Sequence, residues 1–218
     1  MPAANATSTP RTYHVHRDRQ RRRILEAAQN LFNQKGIDRV TMAEIVSASG
    51  LRTSTLYQYF SSKDDIVWAI LEEVLADFAA RAMNATDSAK TALAQITALF
   101  ELMADDLANR RETVRFMAQF DAMYAHDWPV ERLLTVEAQT IPEGFKFFER
   151  LVHEGISDGS LRNDLDPELT LHALMNAVVG AQRRLASLGT RVEVEYGQPT
   201  DKLFRETIRI LLLGMRAT

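Results

Sequence analysis

The stretch Gly50-Leu51-Arg52-Thr53-Ser54-Thr55-Leu56-Tyr57-Gln58-Tyr59-Phe60, followed by Ser61-Ser62-Lys63, decides how this chain is read. At about 100° per residue, Leu56 and Phe60 share one helical face and belong to a core. Ser54, Thr55, Tyr57 and Gln58 then point outward, a neutral hydrogen-bonding surface fitted to base edges and phosphates. Just upstream, Val40-Thr41-Met42-Ala43-Glu44-Ile45 carries a helix start. Thr41 caps the amide three residues on, Glu44 reaches back to the Thr41 amide, and Val40 packs on Ile45. That helix is expected to run to about Ser49, with Gly50 supplying a sharp turn. The next helix follows after about three or four residues, the spacing of a helix-turn-helix.

Residues from about Arg21 to Ile66 resemble the DNA-binding domain of the TetR/AcrR transcriptional regulators. The matching residues are Ile24-Leu25-Glu26-Ala27-Ala28 with Leu31-Phe32, Gly36, Thr41 to Ile45, Gly50-Leu51, Thr55-Leu56-Tyr57, Tyr59-Phe60 and Ser62-Lys63. They cover about a fifth of the chain, in order and without gaps. The resemblance implies an all-α fold: a three-helix helix-turn-helix domain followed by a larger helical domain for ligand binding and dimerisation. It implies a transcriptional regulator rather than an enzyme, without cofactor or bound metal. The expected protein is a repressor that binds a palindromic double-stranded DNA operator as a homodimer and is released by a small hydrophobic or amphipathic effector.

Carried over position by position, the resemblance makes Thr53, Tyr57 and Gln58 candidates for base-edge contacts, with Ser54 close by. Thr41, Thr55, Tyr59 and Lys63 are the candidates for positioning phosphates. Tyr59 lies between the core and exposed faces, so a purely structural role stands beside the phosphate role. This chain has Arg52 where the family usually has a small hydroxyl residue, and Ser54 where it often has glycine. Arg52 is therefore a candidate either for phosphate or for a two-pronged bond to guanine, and Thr53 is the residue available to replace the missing cap.

The charge distribution agrees with a head that touches a polyanion. Residues 1–63 carry 10 Lys+Arg against 4 Asp+Glu, whereas residues 64–218 carry 16 against 25. A basic head on an acidic body is the expected pattern when only the head meets nucleic acid. Arg11, Arg17, Arg19, Arg21, Arg22 and Arg23 form an arginine-rich arm, suited to a narrow minor groove or to nonspecific phosphate contact. The 218 residues suffice for one or two domains, and a 46% hydrophobic, 25% charged composition is that of a folded soluble protein. The absence of cysteine excludes disulfides, thiol nucleophiles and thiolate-held zinc. With no apolar run near the roughly 18 residues of a membrane span, and no basic-then-apolar leader, the expected location is the cytoplasm.

Along the chain, residues 1–16 read as a disordered basic arm, 17–62 as the DNA-binding domain and 63–218 as the ligand and dimer domain. The first helix is expected from Arg17 to before Gly36, with Ile24, Ala27, Ala28, Leu31 and Phe32 in the core. A fourth helix from Ser62 or Lys63 to about Met83 joins the two domains. Further helices are expected over about 88–108, 110–125, 130–157 with a break at Pro142, 167–188 and 201–216, with a loop over 190–200.

Two properties of the body follow from its composition. Aromatic and methionine side chains concentrate between residues 100 and 148, which suits an adaptable apolar cavity or ordinary core packing, and the resemblance implies that an effector binds there, among Phe100, Met103, Phe116, Phe120, Met123, Tyr124, Trp128, Phe148 and Met175. The last two helices carry Leu171, Leu174, Met175, Val178, Val179, Leu203, Phe204, Ile208, Leu211, Leu212 and Met215. Paired with the same helices of a second copy, they would form a four-helix bundle. The sequence Gly155-Ile156-Ser157-Asp158-Gly159 matches a serine-nucleophile pattern, but no strand precedes it. Glu149, His153 and His172 are spaced for a metal, with ordinary hydrogen-bonding histidines as the simpler account. A helical carrier or enzyme for small hydrophobic molecules, with an incidental basic head, is the alternative from another class.

Overall fold

The computed structural model describes residues 10–140 and 144–217. Among these it forms eleven helices and no named strand, the all-α architecture expected. They are α1 (Pro10–Lys35), α2 (Met42–Ser49), α3 (Thr53–Tyr57), α4 (Lys63–Thr86), α5 (Ala92–Asn109) and α6 (Arg111–Met123), then α7 (Val130–Thr140), α8 (Gly144–Ser157), α9 (Pro167–Leu188), α10 (Thr190–Tyr196) and α11 (Thr200–Met215). The chain divides into two compact units between Ile70 and Leu71, inside α4. The first two turns of α4 are thus part of the head, where Ile66, Val67 and Ile70 are buried.

In the first unit, Ile24, Leu25, Ala28, Phe32, Ile37, Val40, Ile45, Leu56 and Phe60 are all buried. The face that α1 buries is rotated slightly from the expected one, because Leu25 enters the core while Ala27 and Leu31 stay half-buried. Helix α1 begins at Pro10, seven residues before the expected start and inside the segment read as disordered. The reason is local: proline is tolerated in a first helical turn, and no glycine or further proline interrupts residues 11–35. Residues 1–9 of the arm lie outside the described residues, as do the side chains of Arg11 and His14.

The second unit packs α5, α6, α8, α9 and α11 around Ile96, Phe100, Met103, Leu107, Leu151, Val152, Leu174, Val178, Phe204 and Ile208. Asp166 caps α9 through Leu169 N at 2.9 Å, and Pro167 opens the helix, as expected from Asp-Pro. The Gly155–Gly159 segment is the end of α8 and its turn. There Asp158 Oδ2 accepts from Ala92 N at 3.0 Å and Ser160 Oγ from Leu93 N at 3.3 Å, so the turn caps α5. The C-terminal residues close on the same turn, through Arg162 N to Met215 O at 3.0 Å and an isolated bridge between Leu161 and Arg216.

One expected loop is a helix. Residues 190–196 form α10, bracketed by Gly189 and Gly197 at φ 53° and 65°. Its threonine, valine and tyrosine content argues weakly for helix, but Val192 is fully buried in the body core and burial overrides propensity. Consequently α9 and α11, rather than the last two helices, carry the apolar surplus. Much of that surplus is internal, because Leu171, Leu174, Val178, Phe204, Ile208 and Met215 are buried within the unit itself. Pro142 lies outside the described residues, between α7 and α8.

Candidate nucleic-acid interface

The helix-turn-helix is held by bonds that begin with α2. Thr41 is its N-cap: Glu44 N donates to Thr41 Oγ1 at 3.3 Å, and Thr41 N donates to Glu44 Oε2 at 2.8 Å. Lys35 Nζ donates to the other Glu44 oxygen at 2.6 Å, tying the end of α1 to the start of α2. Lys35, then the Thr41 amide and hydroxyl, hold the Glu44 carboxyl down at a pKa of about 2. At the far end Gly50 takes φ 64°, the left-handed conformation that glycine adopts without strain. Arg23 Nη2 reaches from α1 to the Ser49 carbonyl at 2.8 Å and covers the same turn.

Helix α3 places Leu56 wholly inside the head. Arg52, Thr53, Ser54, Tyr57 and Gln58 are exposed, Tyr57 at 50%, and Thr55 is half-buried. Arg52 occupies the N-cap position with extended backbone, and no side chain caps the helix. Thr53 is its first helical residue, so the replacement cap expected of Thr53 does not form.

Three other candidates have partners within the head. Tyr59 OH donates to Gln20 Oε1 at 2.8 Å, and the Arg17 guanidinium lies 5.9 Å from its ring centroid. Tyr59 is therefore an anchor for α1, the structural role allowed for it. Lys63 Nζ donates to the carbonyls of Ile37 and Asp38 at 2.8 and 3.3 Å, closing the turn after α1. Thr41 Oγ1 is engaged by Glu44 on both its donor and acceptor sides. The α4 start is fixed by Asp65, whose Oδ2 accepts from the Ser61 and Ser62 amides at 3.1 Å each. The Ser61 hydroxyl, more than the opposing effect of burial, holds the Asp65 carboxyl below its ordinary range.

Sequence reading missed Arg23, Gln20 and Asp65 as organisers of this surface. Asp65 was legible, since Ser62-x-x-Asp65 is a capping pattern. Gln20 and Arg23 were not, because their partners lie 39 and 26 residues away.

Residues 24–70 match the bacterial regulatory proteins of the tetR family, a span that contains α2, α3 and the start of α4 but not Arg17, Gln20 or Arg23. Residues 24–70 are a DNA-binding domain of the TetR family of transcriptional regulators. With this domain the chain is a DNA-binding transcriptional regulator. It is 29% identical over 150 residues to the transcriptional repressor KstR2 of Mycolicibacterium smegmatis, an alignment covering 69% of this chain and 71% of that protein. Its fold matches a regulator from Saccharomonospora viridis solved with choline, at TM-score 0.73 and 17% identity, over 92% of this chain and 100% of that one. It also matches the Thermus thermophilus repressor FadR solved with lauroyl-CoA, at TM-score 0.58 and 21% identity, over 91% and 96% of the two chains.

In the body of this regulator two of the expected effector residues line a small cavity. Phe100 and Met175, with Ile96, Leu99, Val152, Leu171 and Leu174, line an apolar cavity of about 10 Å³, room for one water-sized sphere. Met103 and Phe116 are buried, and Met123 is half-buried. Phe120 meets Tyr124 in a tilted and Trp128 in an edge-on ring contact, with centroids 4.7 and 6.3 Å away, and none of the three is in that lining. Phe148 lies outside the described side chains. Glu149 and His153 approach to 3.9 Å, and among the described residues no group of three histidine or carboxylate side chains is placed to hold a metal. Among them, too, no helix is long and apolar enough to cross a membrane.

Proposed function

We propose that this regulator binds a palindromic operator as a homodimer, acts as a repressor, and is released by a small hydrophobic or amphipathic effector. The observation that carries the DNA-reading part is the outward face of α3. Arg52, Thr53, Ser54, Tyr57 and Gln58 stand exposed on a helix whose Leu56 is fully buried. The buried residue fixes the rotation of the helix, so the polar face is presented rather than sampled. Thr53, Tyr57 and Gln58, with Ser54 beside them, take base edges in the major groove. Arg52 and Thr55 take phosphates, joined by Lys63, whose ammonium keeps a third N–H, whereas Thr41 and Tyr59 take phosphate only by releasing the hydroxyl protons they give to Glu44 and Gln20.

A five-residue recognition helix reads few base pairs, and specificity then requires a second copy at a fixed helical repeat. Leu169 on α9 and Ile210 and Leu213 on α11 are more than half exposed. These apolar side chains support a dimer built from α9 and α11 of each protomer. The choline and lauroyl-CoA complexes of similar folds support a small organic effector, and the wholly apolar lining of the cavity favours the hydrophobic part of such a molecule. At about 10 Å³ the cavity must widen to admit it, so the effector acts by stabilising a more open conformer. The same small volume favours a second reading, a regulator whose body takes no effector at all.

Selection of bound duplexes from a random pool tests the first part. A palindromic consensus is expected, and enrichment of no sequence by the full chain would sink the proposal. Titrating the selected complex with saturated fatty acids and acyl-CoAs of graded length separates the two readings. Release of DNA at one length supports the effector-controlled repressor, and no release by any supports the ligand-free regulator.

A further inference from the structure

Helix α4 runs from the first unit into the second, and its body half buries little. After Leu71, residues Glu72, Glu73, Ala76, Asp77 and Ala80 are exposed, and Met83 is 72% exposed, while Phe78 packs on the body core. Charge supplies what apolar burial does not. Arg81 Nη1 and Nη2 donate to the two Asp106 carboxylate oxygens at 2.7 and 2.9 Å, and Arg81 Nε donates to Asp77 at 2.9 Å. Arg110 Nη1 donates to the same Asp77 oxygen at 2.5 Å and lies 3.8 Å from Asp106. Asp106 is buried in the last turn of α5, and Arg110 is the residue between α5 and α6. Two residues four apart on α4 thus meet two residues four apart at the α5–α6 junction, with alternating charge.

We propose that Asp77, Arg81, Asp106 and Arg110 form a latch that fixes the direction in which α4 leaves the body, and so the half-site spacing the dimer accepts. This rests on the DNA-reading proposal above. Apolar contact is non-directional and tolerates sliding, whereas a guanidinium forked onto a carboxylate fixes both angle and register. Removing Arg81 takes the two-pronged partner from buried Asp106 and leaves it only Arg110 at 3.8 Å, so the latch is made or broken rather than gradually loosened. These are positioning residues, and none of them touches DNA.

The test uses the full chain with Arg81→Met, which keeps an unbranched side chain of similar length without the guanidinium that lies 5.7 Å from the Phe78 ring centroid, Arg81→Lys, which keeps the charge, and Asp77→Asn at the exposed end. Two measurements are made: hydrogen exchange of amides 71–86, and affinity for the selected operator with its spacer lengthened or shortened by one or two base pairs. Arg81→Met is expected to exchange at least about tenfold faster over 71–86 and to lose most of the spacing preference, with Arg81→Lys in between. Affinity for an isolated half-site is expected to stay unchanged, which a general loss of folding would not allow. Wild-type exchange and wild-type spacing preference in both Arg81→Met and Asp77→Asn would overturn the latch. If Arg81→Met does not fold, Asp77→Asn alone decides. A wild-type chain without any sequence preference would count against DNA reading, and the exchange data would still decide the latch.

Discussion

Replacing Gly50 by alanine tests whether the turn between α2 and α3 sets the recognition surface. Gly50 has φ 64°, where a Cβ costs about 1 kcal/mol relative to glycine. The new methyl would also stand 3.1 Å from Arg23 Nη2, tight enough that the guanidinium must give by a few tenths of an ångström. Its 2.8 Å bond to the Ser49 carbonyl then weakens, losing up to about 1 kcal/mol. The sum, about 1–2 kcal/mol, raises the opening equilibrium of the head about 5–30-fold. Hydrogen exchange of amides 42–60 in the full chain measures this directly, with the amides of α5 and α9 as the internal control. Gly50→Asn should lose about half as much as Gly50→Ala, because asparagine tolerates the left-handed region while the steric term remains. Operator affinity should fall in the same order. Exchange over 42–60 that matches wild type in Gly50→Ala, or that speeds up equally in the body, would refute the reasoning.

Three further outcomes are expected. Glu44 has a folded-state pKa of about 2, below its ordinary value, so the cap it forms is fully present above about pH 4.5 and is lost as pH falls through about 2. Acid unfolding of α2 should therefore steepen across that window in wild type and flatten in Glu44→Gln; identical curves would contradict the cap. Gly155→Ala should destabilise the body by about 1–2 kcal/mol, overpacking of about 1–3 kcal/mol being partly offset by better helix propensity. The added Cβ would meet buried Leu161 at 2.5 Å, so Leu161→Ala should recover part of that loss in a denaturation cycle at fixed protomer concentration. Leu213→Glu, at an exposed position on α11, should shift the proposed dimer toward monomer in sedimentation while leaving half-site binding intact; unchanged mass would count against a dimer built through α11.

The helices and the helix-turn-helix were legible in sequence because their signals are local. Thr41 with Glu44, Asp166 with Pro167, and the Leu56–Phe60 spacing each act within about one turn, so a few adjacent residues suffice to specify them. What the sequence by itself determined is therefore the all-helical class, the family of the DNA-binding domain, and which face of α3 is polar. Tertiary structure alone decided which polar groups are committed elsewhere: Tyr59 to Gln20, Lys63 to the Ile37 and Asp38 carbonyls, Arg23 to Ser49. It also made α10 a helix through Val192, drew Leu171, Leu174 and Val178 of α9 and Phe204, Ile208 and Met215 of α11 inward, and brought Arg81 onto Asp106. These are contacts between residues far apart in the chain, and no local pattern encodes a partner that only the packed fold brings within reach.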